Sequence, residues 1–67
     1  MNTNNANRVS ELNSEIINAA KSLEAYAKYI GDHVSDADSR KIKSYIRMAG
    51  NEILFLIDTF KERERLD

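Results

Sequence analysis

Asp32, His33, Ser35, Asp36 and Asp38 crowd into seven residues, and any chemistry this chain performs would be built there. Asp36-Ala37-Asp38 has the spacing of the first two oxygen ligands of a calcium loop. Such a loop continues with a further oxygen donor and a glycine and closes on a glutamate. Here Arg40 and Lys41 follow instead, so charge and geometry both argue against a cation. His33 with Ser35 and Asp36 supplies the residue types of a nucleophilic triad, but residues so close on one turn seldom converge on a reacting atom. The same residues suit a helix start: Ser35 and Asp38 have the spacing of a capping box, and carboxylates favour the positive end of a helix dipole. The expectation is therefore no catalytic residue, no metal site and no cofactor.

The elements around this turn follow from apolar spacing. Val9, Leu12, Ile16, Ala19, Leu23, Tyr26 and Ile30 recur at steps of three and four, the pattern of one long helix with an apolar seam. Ala20 and Ala27 widen the seam with small side chains. Asn5 or Asn7 would cap this helix, and Gly31 would end it in a left-handed conformation. In the second half, Ile42, Tyr45, Ile46, Ala49, Ile53, Leu56, Ile57 and Phe60 fall on one broad stripe at about 100° per residue. That stripe is assigned to the partner helix. Lys61, Arg63 and Arg65 suit the negative end of the dipole. With no proline anywhere, nothing obvious breaks either helix.

These signals predict an all-α chain: a polar, asparagine-rich, flexible segment at 1–6, then one helical-hairpin domain at 7–67. Helix one is expected at about 7–31, the turn at about 32–35 and helix two at about 36–65. A connection this short makes the helices antiparallel. Gly50, inside helix two, reads either as a tolerated helix glycine or as a close helix crossing.

A chain of 67 residues lies near the lower limit for burying a core of its own. Small folds add disulfides, metals or a partner chain, and the absence of cysteine leaves oligomerisation as the open route. Met48 and Phe55 lie outside the broad stripe, one heptad apart, and Leu54 lies on the opposite flank. Tyr29 sits round the edge of helix one beyond Tyr26. These four residues are the expected partner or dimer interface, because one facing helix cannot cover them together with the stripe.

A net charge of −1 and a pI near 5.8 exclude a general electrostatic binder of nucleic acid or anionic membrane. No apolar run approaches the roughly 20 residues that span a bilayer, and the polar start lacks a signal-peptide core. The expected location is the cytoplasm. Arg40, Lys43 and Arg47 share one side of helix two, an alternative nucleic-acid contact if a dimer doubled them.

Two helices joined at Asp36-Ala37-Asp38 resemble the Rop family of RNA-binding plasmid-copy-number regulators. That resemblance covers the hairpin layout and the three turn residues. It implies a hairpin that dimerises into a four-helix bundle, and RNA as an alternative ligand. It assigns no RNA-contacting position to this chain. The functional expectation is a non-enzymatic helical interaction protein, dimeric, that binds and regulates or inhibits another protein.

Overall fold

The computed structural model describes residues 3–66. α1 (Thr3–His33) and α2 (Arg40–Leu66) run antiparallel and pack along their length, giving a rod of 55 × 14 × 11 Å. The expected helical hairpin is present. Its helices are placed differently at both ends of the connection. α1 is already helical at Thr3, so positions 3–6 of the expected flexible segment belong to it, and Asn5 and Asn7 lie inside the helix rather than before it. Met1, Asn2 and Asp67 lie outside the described residues.

Gly31 does not stop α1. No described glycine has positive φ, and the helix passes through Gly31 to His33. Closure comes two residues later, where the Asp36 amide donates to the His33 carbonyl at 3.1 Å. His33 Nδ1 and Asp36 Oδ2, 2.8 Å apart, tie the same turn from the side-chain level. A glycine can end a helix cheaply but does not compel it to end.

The capping box at Ser35 and Asp38 does not form, because α2 begins at Arg40. The Ser39 carbonyl accepts the first helical bond, from the Lys43 amide at 3.0 Å. Asp38 takes the capping role from just outside: its Oδ1 accepts the Arg40 amide at 3.0 Å, satisfying one of the orphan donors of the first turn. The Arg40 guanidinium also reaches the carboxylate, Nη2 to Oδ2 at 2.7 Å. The carboxylate is therefore held below the usual range, first by the side chain of Arg40 and then by its amide. A depressed folded-state value stabilises at neutral pH, and that contribution is lost as pH falls below the ordinary carboxylate range. Asp38→Ala should lower the melting temperature by a few degrees at neutral pH and not at pH 2. Ser35→Ala, on an exposed side chain outside the helix, should change it little. Thermal melts followed by circular dichroism at both pH values read the difference.

The seam between the helices differs from the expected stripe. On α2 the buried and half-buried positions are Ile42, Tyr45, Ala49, Glu52, Leu56, Thr59, Glu62, Arg63 and Leu66, a seam at steps of three and four with Glu62 beside it. Ile46, Ile53, Ile57 and Phe60, assigned above to the same covered stripe, are 44–54% exposed. One helix covers one seam, and the stripe is wider than that. Polar links fix which edge is covered. Arg8 Nη2 and Nε reach Glu62 Oε2 at 2.6 and 2.7 Å, and Arg63 Nε donates to Asn13 Oδ1 at 2.6 Å. Thr59 can sit buried in this seam because its hydroxyl donates to the Phe55 carbonyl at 2.7 Å.

The resulting core is small. Among the described residues only Leu12, Ala19 and Thr59 are buried, and Leu12 is the only large side chain fully so, at 1% exposure. Gly50 has open space where a Cβ would stand, so it marks no helix crossing within the hairpin.

Candidate interaction surfaces

The turn residues do not gather into a site. Asp36 faces His33, and Asp38 faces Arg40, so the two carboxylates with calcium-like spacing are directed to different partners. The His33 ring is half-buried and lies 5.9 Å from that of Tyr45, while Ser35 stands outside the His33–Asp36 pair. Among the described residues no group of three or more His, Asp or Glu side chains is placed to hold a metal ion.

The two flanks of the hairpin are chemically distinct. On one, Ile16 from α1 and Leu56, Ile57 and Phe60 from α2 line an open groove of about 460 Å³, with Lys61 and Glu64 at its rim. Two heptad rows extend this flank along the rod. Val9, Ile16, Leu23 and Ile30 are spaced by sevens on α1, and Ile46, Ile53 and Phe60 by sevens on α2. The α1 row is half-buried and the α2 row exposed. Residues seven apart return to nearly the same angle on a helix, so each row forms a continuous ridge. Ala20 and Ala27 keep the α1 side of this flank low.

On the other flank Arg8, Leu12, Glu15, Phe55, Asp58, Thr59 and Glu62 line a groove of about 270 Å³. It is polar at the rim, and Arg8 is drawn to Glu11 and Glu62, which raise its pKa through hydrogen bonds. Phe55 stands in this groove, and Met48 lies one heptad before it on the same side of α2. Tyr29 is on the α1 edge of the same flank, its ring centroid 5.2 Å from that of Tyr45. Of the four residues expected at an interface, Tyr29, Met48 and Phe55 therefore share a flank. Leu54 points away from both grooves, at 62% exposure. All four are exposed in the hairpin.

Arg40, Lys43 and Arg47 lie along the outer side of α2, all exposed. The Arg40 guanidinium is already engaged by Asp38, which leaves Lys43 and Arg47 as the outward charges of that set. No described helix is long and apolar enough to cross a membrane.

The Ile46–Ile53–Phe60 ridge with Ile57 is the surface that the sequence reading missed, by burying it under α1. Its signal was present in the strict spacing of 46, 53 and 60, and in a stripe too wide for one covering helix. No protein-family description matches the chain, and neither curated proteins nor solved structures contain a match.

Proposed function

We propose that this chain is a non-enzymatic helical interaction protein that dimerises into a four-helix bundle and binds another protein in the cytoplasm, regulating or inhibiting it. One observation carries the reading: among the described residues a single large side chain is fully buried, while ten large apolar side chains stand exposed. A core of that size is far below what a chain of this length needs. Scattered exposed apolar residues are ordinary, but continuous ridges mark surfaces of association. Two such surfaces on opposite flanks provide for two partners, a second copy and a different protein.

Tyr29, Met48 and Phe55 serve the protein partner in this reading, with Leu54 at the margin. Tyrosine and phenylalanine give large contact areas at low entropic cost. Glu15, Asp58 and Glu62 around Phe55 suit a partner segment with basic side chains beside its apolar anchors, because opposite charges steer the encounter.

Replacing two surfaces independently tests the reading. Met48 and Phe55 changed together to glutamine should abolish capture of the protein partner in pull-downs from nuclease-treated host lysate. Arg40, Lys43 and Arg47 changed to glutamine should leave capture intact, with only a modest, salt-dependent effect on its rate. Nuclease-sensitive capture lost only in the basic variant, with affinity falling steeply with salt, would instead establish a nucleic-acid regulator.

A further inference from the structure

The two flanks differ in whether they can face themselves. On the Phe55 flank both orientations are penalised. With the turns together Glu15 faces the second copy's Asp58, like against like. With the turns at opposite ends Asp58 faces the second copy's Met48, a carboxylate covered by an apolar side chain. The groove on the Ile46–Ile53–Phe60 flank has one cation and one anion at its rim, Lys61 and Glu64. We infer that a second copy of this chain docks on that ridge, with the two turns at opposite ends and a two-fold axis passing at Ile53. The inference rests on the proposed dimer and assigns its face and its direction.

Area and charge both support it. A hairpin side 55 Å long and 14 Å wide offers roughly the 800 Å² per partner of a standard interface. With the turns at opposite ends, each α2 lies on the other's α2. Ile53 then meets its own equivalent, and Ile46 and Phe60, equidistant from it, meet each other's counterparts. Lys43 and Glu64 are nearly equidistant too, so each end of the α2 pair brings a cation to an anion.

The same operation places α1 on α1. Arg8 against Glu62 and Tyr29 against Tyr45 set Ala20 about level with Ile53. The small Ala20 side chains then meet at the axis, and Val9 meets the second copy's Ile30. Laying the copies with turns at the same end would instead put Val9 against Glu64 and Ile30 against Lys43. That arrangement covers charges with aliphatic surface and leaves them unpaired, so the opposed arrangement is selected. An isologous contact of this kind closes at two copies.

The absence of cysteine makes the contact directly readable. Ile53→Cys should form a disulfide-linked dimer about a hundredfold faster in buffer than in urea, because the interface holds the two thiols at high effective concentration. Phe55→Cys should link no faster in buffer than in urea. A mixture of Ile46→Cys and Phe60→Cys chains should give mainly the mixed dimer, which keeps the test open if one variant folds poorly. Ile53→Cys linking only at its urea rate, in protein that sediments as a dimer, would overturn the assigned face while leaving the dimer standing. Preferential linking of Ala20→Cys to Ile53→Cys in a mixture would place the turns together and overturn the direction. Wild-type protein sedimenting as a monomer would overturn both this inference and the dimer on which it rests.

Discussion

Ile53→Glu is expected to make the protein monomeric at micromolar concentration and to remove most of its thermal stability. In the separate hairpin Ile53 is nearly half exposed, so a carboxylate there costs the hairpin itself little. In the dimer it would be buried at the two-fold axis beside a second copy of itself. An uncompensated buried charge costs about 3–5 kcal/mol, and symmetry introduces two at once. A loss of that size exceeds what an interface of about 800 Å² per partner can spare. The stability follows the association, because a hairpin with so few buried side chains relies on its partner. Sedimentation velocity and thermal melts on the same samples read both effects. A variant that dimerises with wild-type affinity would remove the ridge from the interface.

Leu12→Ala is expected to destabilise the fold by about 2–5 kcal/mol, the usual range for a fully buried leucine. Among the described residues Leu12 is the only large side chain at 1% exposure, and it lies with Thr59 in the seam spanned by the Arg8–Glu62 and Asn13–Arg63 links. Little surrounding core is available to collapse into the space. Ile17→Ala is the matched control: this residue is 55% exposed, away from both grooves, and its truncation should cost about 0.5 kcal/mol or less. Urea unfolding at one fixed protein concentration gives both values. Equal losses for the two variants would mean that the seam does not organise the core as described.

The hairpin was legible because its signal is redundant. Leu12 and Ala19, the apolar residues buried among those described, both belong to the three-and-four spacing of Val9 through Ile30. The ends of the helices were less legible, because neighbouring residues offer competing local solutions. Ser35 and Asp38 have capping-box spacing, but Asp38 gains more from the Arg40 amide and guanidinium two residues on, and α2 starts there. Gly31 permits a stop without requiring one, and the His33–Asp36 contacts lie beyond it. Which edge of the wide α2 stripe α1 would cover was illegible from apolar spacing alone. It depends on Arg8 meeting Glu62 and Asn13 meeting Arg63, contacts separated by about fifty residues in sequence. The exposed positions of Tyr29, Met48 and Phe55 were legible for a simpler reason, since they fall off both seams.

Sedimentation equilibrium of the wild-type protein across the micromolar range tests the central claim most directly. A species of twice the 7.7 kDa chain mass is expected, dissociating only on dilution, with unfolding that shifts to higher temperature as concentration rises. A stable, well-folded 7.7 kDa monomer throughout that range, with a melting temperature independent of concentration, would contradict it.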